Sequence, residues 1–260
     1  MKNVAPLLLI GVLLLGACAP TSLQHSMNSG GHRSGSNASI GEGHVMEQGT
    51  RNLTVQEEKG ASSSDLAFSV RENGDVFTHY GVSHTKEMHF VIIRDDLQHF
   101  SHLHPTRDSQ GIWHIDFKSE AGGTHWLYAD FVDSEGDSYY PRFQKTFAGD
   151  KGQYGLVKDF STSKTVDGYH ITMKPSLNGN SATFAYEVTD AKDNPVKFED
   201  YLGAKGHSIL LTPSGNIIHA HAEDVPPVFE TNVMTGSFYR MFTQFQINGK
   251  VVTVPFDWQL

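Results

Sequence analysis

Lys86-Glu87-Met88-His89-Phe90-Val91-Ile92-Ile93-Arg94 leads through Asp95-Asp96-Leu97 into Phe100-Ser101-His102-Leu103-His104-Pro105, and this stretch decides the fold. Two short runs of apolar and aromatic residues around a polar turn mark a β-hairpin. A second copy follows: Ala204-Lys205-Gly206-His207-Ser208-Ile209-Leu210-Leu211, the turn Pro213-Ser214-Gly215, and then His219-Ala220-His221. His89 matches His207, His102 matches His219 and His104 matches His221; downstream, Gly122 and Phe131 match Gly236 and Phe245. Landmarks repeating in near register point to two homologous modules. Gly149-Asp150-Lys151-Gly152 is the natural junction between them.

Outward from the hairpins the same style continues. Residues 66–71, 98–104, 111–118 and 124–132 in the first half, and 169–174, 182–189, 216–222 and 237–247 in the second, read as short strands. Clusters such as Asn178-Gly179 and Asp193-Asn194-Pro195 punctuate them. No segment supports a long amphipathic helix. With 260 residues, 38% hydrophobic and 19% charged, collagen-like, coiled-coil and wholly disordered classes are excluded. The expected fold class is all-β: two tandem immunoglobulin-like β-sandwich modules, at residues 65–150 and 151–260.

The N-terminus reads differently. Lys2 and the apolar run from Val4 to Leu15 have the length of a signal h-region and are too short to span a bilayer. Leu15-Gly16-Ala17-Cys18 resembles the bacterial lipobox, which implies removal of residues 1–17 and acylation of Cys18, with palmitate or a similar chain. Residues 18–64 are rich in Ser, Gly, Asn and His without apolar periodicity and are expected to be a flexible tether. His25-Ser26-Met27 and His44-Val45-Met46 within it pair imidazole with thioether, a donor set that suits copper. A polar linker that merely contains histidines is the plainer reading.

Composition sharpens the question of function. Lys plus Arg number 20 against 29 Asp plus Glu, a formal charge of -9, so no nucleic-acid partner is expected. There is one cysteine, and the 15 histidines almost equal the 16 phenylalanines. If Asp95-Asp96 is a two-residue hairpin tip, His89 lies directly across from His102 with His104 diagonal to it, all on one face. In the second module His207 faces either His219 or His221, and both registers keep the three on one face. Such triangles can converge on an ion, and neutral imidazoles without carboxylates favour copper or zinc over Ca(II) or Mg(II). A blue-copper centre needs a thiolate, which the modules lack. No general base, nucleophile elbow or His-Glu-x-x-His accompanies the triads, so no enzyme is expected. Alternating histidines can equally be a hydrogen-bonded patch on a wet strand face.

Together with Tyr201-Leu202-Gly203-Ala204-Lys205-Gly206-His207, the first hairpin resembles secreted bacterial lipoproteins with immunoglobulin-like or cupredoxin-like modules. That resemblance implies copper or heavy-metal handling. Where the pattern continues His-x-His-Pro, the second module has His221-Ala222-Glu223, so Glu223 becomes a candidate oxygen ligand; separately, His84, just before the first strand, is a candidate to extend the first triad. The expectation is a lipid-anchored extracytoplasmic protein on a bacterial membrane. It would buffer, sequester or deliver copper or zinc through one surface three-histidine site per module, with a metal-transport protein as a candidate partner. The alternative is a non-enzymatic cell-surface interaction module with structural histidines.

Overall fold

A computed structural model describes residues 49–60, 62 and 64–259. The expected signal segment, Cys18, His25, Met27, His44 and Met46 lie outside the described residues. Module 1 comprises β1 (Leu53–Glu58), β2 (Asp65–Glu72), β3 (Asp75–Val76), β4 (His89–Arg94), β5 (Ser101–Leu103), β6 (Thr106–Arg107), β7 (Trp113–Asp116), β8 (Gly123–Val132), β9 (Ser138–Tyr139) and β10 (Arg142–Phe147). Module 2 comprises β11 (Ser163–Val166), β12 (Tyr169–Asn178), β13 (Ser181–Thr189), β14 (Gly206–Leu211), β15 (Ile217–Ala222), β16 (Val228–Asn232), β17 (Phe238–Ile247) and β18 (Lys250–Gln259). Among the described residues there is no helix.

Each module is a sandwich of two sheets. In module 1, β1-β2-β7-β6 with β3 on β2 faces β10-β8-β4-β5 with β9 on β8; in module 2, β11-β12-β13-β16 faces β15-β14-β17-β18. Residues 53–58, assigned to the tether by sequence, form β1 and pair with β2 from Leu53↔Glu72 to Glu58↔Ala67. Only Leu53 and Val55 alternate there before Gln56-Glu57-Glu58, too short a period to read as a strand.

The two sandwiches share a third apolar layer. All six residues of β4, and all six of β14, are buried, because both faces of these strands are covered. Phe90 and Ile92 point into the module 1 core with Phe68, Trp113 and Leu127. Leu210 points into the module 2 core with Phe184, Tyr186 and Phe245. The alternate residues Val91 and Ile93 meet Ile209, Leu211, Phe238 and Phe242 in a cluster joining the modules. Phe100 and Phe242 stack across that junction with centroids 4.2 Å apart and planes 4° from parallel. Each large side chain sealed there contributes about 1.5–3 kcal/mol.

The connecting segment is pinned at its start. The buried Arg94 guanidinium pairs with Asp96 at 2.7 Å and donates to the carbonyls of Lys151, at 2.6 Å, and Gln153, at 2.7 Å. Asp96 accepts in turn from the Gly155 amide at 3.0 Å. Tyr128 closes the other side by donating its hydroxyl to the Gly215 carbonyl at 2.9 Å.

Candidate metal centre

His89 opens β4 and His207 is the second residue of β14, on the faces that carry Val91 and Ile209 into the junction. His102 lies on β5, His104 just beyond it, and His219 and His221 alternate along β15. In the first hairpin the pairing is Val91↔His102 and Phe90↔Leu103, which places His89 across from position 104 and makes His102 the diagonal neighbour. The expected two-residue tip is not formed. The Arg94 amide donates to the Gln98 carbonyl at 3.0 Å, and Leu97 and His99 both take left-handed backbone conformations, with φ of 60° and 54°. Leu97 thereby turns into the junction cluster. The displacement is two residues, so the face is unchanged. In the second hairpin His207 pairs with His221, one of the two expected registers.

Because the two inner sheets pack face to face, the two sets of histidines meet. His89 lies 5.3 Å from His219 and 6.2 Å from His207, and His102 lies 5.2 Å from His219, ring centroid to ring centroid. His84, from the β3–β4 loop, stacks on His221 at 3.5 Å. Among the histidines, the side chains whose ligand atoms come within 4.8 Å of one another are His89, His102 and His219, and separately His84, His207 and His221. Each group takes histidines from both modules, which departs from the expectation of one site per module. The expected surface position is also corrected: His89 is 2% exposed and His207 fully buried. Both expectations treated each sandwich as standing alone, with one wet face.

Hydrogen bonds orient the rings. His89 Nε2 donates to the Ser83 carbonyl at 3.1 Å and His207 Nε2 to the Tyr201 carbonyl at 2.8 Å. A carbonyl only accepts, so the inward Nδ1 of each ring carries a lone pair. His102 Nδ1 lies 2.8 Å from Gln244 Oε1, and His219 Nδ1 lies 2.6 Å from Asp130 Oδ2, which leaves both Nε2 atoms facing inward. These network-assigned tautomers set His89 Nδ1 3.1 Å from His102 Nε2, and His207 Nδ1 3.3 Å from His219 Nε2. A tetrahedral ion with bonds of about 2.0–2.1 Å has ligand nitrogens about 3.3–3.4 Å apart, so the His89–His102 separation suits a shared ion, while His207 and His219 belong to different groups. His104 Nε2 and His221 Nε2 are buried without a hydrogen-bond partner, at matching places in the two modules. Such orphaned atoms are costly unless something binds them.

Burial also holds the imidazoles neutral, the form that ligates metals. It lowers His102 to about 4, and, with neighbouring histidines adding to the effect, His89 and His104 to about 3. His207 falls to about 2, with burial again the largest cause. Burial moves His219 down and the Asp130 carboxyl up.

The remaining candidates divide. Glu223 is exposed and belongs to neither group, though its charge acts on His84. His99 and His170 are exposed, and His114 bonds to Asp65 and Asp108. His125 is buried against Phe147 and bonded to the Gly123 carbonyl. Asp130 and Gln244 escaped the sequence reading. They immediately precede the matched Phe131 and Phe245, and a polar residue at the same place in two apolar strands was the available signal.

Fold and junction together define a tandem β-sandwich protein with a histidine cluster built by both modules. The chain belongs to the family described as Domain of unknown function (DUF8832), which matches it twice, over residues 45–161 and 164–260. No curated protein matches the sequence. Among solved structures, the chain is similar to the fibronectin(III)-like modules of Clostridium thermocellum CbhA, at 15% identity over 79% of this chain and 90% of that one, with a TM-score of 0.21. It is also similar to a two-domain fibronectin type-III segment of chicken tenascin, at 13% identity over 81% and 97%, with a TM-score of 0.22. At these scores neither likeness adds to the fold that the sheets themselves define.

Proposed function

We propose that this is an extracytoplasmic copper- or zinc-binding protein, lipid-anchored through Cys18, that holds its ion between its two modules and buffers it or passes it on. The observation that carries this reading is the convergence of His89, His102 and His219, two side chains from one module and one from the other, with ligand atoms within 4.8 Å. Their outward nitrogens are anchored on Ser83, Gln244 and Asp130, the arrangement by which a surrounding shell fixes ring orientation at metal sites. An all-imidazole, thiol-free donor set suits Cu(II) or Zn(II). The bound ion would supply a positive charge to the lone pairs that otherwise face one another.

Titration of the purified full chain with Cu(II) and with Zn(II) tests the proposal. Stoichiometric binding at micromolar affinity or better is expected, with loss of at least tenfold in affinity in His102→Ala and in His219→Ala. Absence of binding, or binding indifferent to both substitutions, overturns it and favours the reading in which the histidines only join the modules.

A further inference from the structure

We propose that His84, His207 and His221 form a second metal position at the rim of the buried one, so that the junction takes two ions of unequal lability, the outer one exchangeable. This rests on the metal-binding reading above and extends it in stoichiometry and exchange.

The argument starts from a broken symmetry. Both modules enter their first junction strand through the same tight turn: Ser83 and Lys86 exchange backbone hydrogen bonds in one, Tyr201 and Ala204 in the other. The second turn carries Leu202 and Gly203 in left-handed conformations, at φ of 53° and 83°. The first carries His84 and Thr85 there, at 46° and 67°. Thr85 is β-branched, a residue type that avoids this region, where the other copy has glycine. Strain of this kind persists where surrounding structure enforces it and gathers at functional positions. Here it sets the His84 ring in face-to-face contact with His221 at 3.5 Å and edge-on to His207 at 5.5 Å.

His84 thus brings a third imidazole beside two others. Because its ring lies face to face with His221 while lone pairs lie in the ring plane, it must turn about its side-chain bonds to share an ion with it. The His221 Nε2 atom is buried and orphaned, and His207 presents its Nδ1 lone pair because Nε2 is committed to the Tyr201 carbonyl. The ligand atoms of all three lie within 4.8 Å of one another. In the second module the matching turn position is Leu202, so the turn there offers His104 no imidazole. The outer group is therefore single, not one of a pair.

Exposure separates the two positions. At the outer position His84 and His221 are half-buried and His207 is buried, whereas at the inner one His89 and His102 are buried and His219 is half-buried with its side chain 4% exposed, so it is His84 that opens the outer position to solvent. The carboxylate of exposed Glu223 acts favourably on a positive charge at His84. An ion at the outer position meets solvent and can leave by exchanging imidazoles for water, while the inner one cannot leave until side chains of both modules part.

The test is a count and a rate. The full chain is loaded with Zn(II) alone, desalted and analysed for metal, then challenged with excess chelator while release is followed. Two equivalents are expected, one released at least tenfold faster, and His84→Leu should retain one equivalent and show only the slow phase. A wild-type chain that takes one equivalent, or a His84→Leu chain that keeps both with unchanged kinetics, overturns the second position and leaves the first standing. A wild-type chain that takes none overturns both.

Discussion

His219 of the second module bonds to Asp130 of the first at 2.6 Å, and His102 of the first bonds to Gln244 of the second at 2.8 Å. The exchange is reciprocal, because Asp130 sits across from His89 and Gln244 across from His207 in their own sheets. Each module orients a ligand of the other. One of the two anchors is a carboxyl group and the other an amide, so the halves are alike in shape but not in chemistry.

Asp130→Asn should weaken binding of the inner ion by about 10–100-fold, the usual cost of losing a partner that orients a ligating histidine. Isothermal titration with Zn(II) measures it. Unchanged affinity would mean that Asp130 serves only the apolar junction.

Ion binding should also raise stability, since ligands drawn from both modules tie them together. At a free ion concentration about 100 times Kd, linkage gives about 2.7 kcal/mol. Thermal melts with and without Zn(II) should show a higher Tm with the ion in the wild type and no shift in His102→Ala. A Tm indifferent to the ion in the wild type contradicts this.

The metal-free protein should be acid-sensitive. His89, His102, His104 and His207 are held at about 2 to 4 by burial, whereas the unfolded chain protonates them near 6.5. Below about pH 6.5 the unfolded state therefore binds more protons than the folded state, and stability falls as pH falls. Each such group adds a slope of about 1.4 kcal/mol per pH unit, so several acting together make the loss steep. Urea unfolding at pH 7.5, 6 and 5 checks the sign, and a flat profile would contradict it.

Arg94→Met should destabilise the chain by about 3–5 kcal/mol, because it leaves the Asp96 carboxylate buried and unpaired and frees the carbonyls of Lys151 and Gln153. Burial opposes ionisation of Asp96, but the Arg94 contacts and backbone amides outweigh it and hold its pKa below the ordinary value. Chemical denaturation reads the loss directly.

Much of this was legible in the residues. The two modules showed in the repeated landmarks, and β4 and β14 in their apolar runs. Yet six consecutive buried residues in each of these strands, Val91 and Ile93 among them, signal cover on both faces, and a strand standing in an isolated sandwich needs cover on only one. That difference hid the docking of the modules, and with it the mixing of their histidines. The first register was missed because Leu97 and His99 adopt left-handed backbone that non-glycine residues rarely take. His89, His102 and His104 kept a common face only because the slip was even. Partners such as Gln244 lie far from His102 in sequence, beyond the reach of local periodicity.

The most direct test of a shared centre is an anomalous-difference measurement at the zinc or copper edge on crystals of the metal-loaded protein. The account predicts a peak bonded to His219 and to both His89 and His102, hence to imidazoles of both modules. Peaks ligated by one module alone, or no peak among these rings, would contradict it.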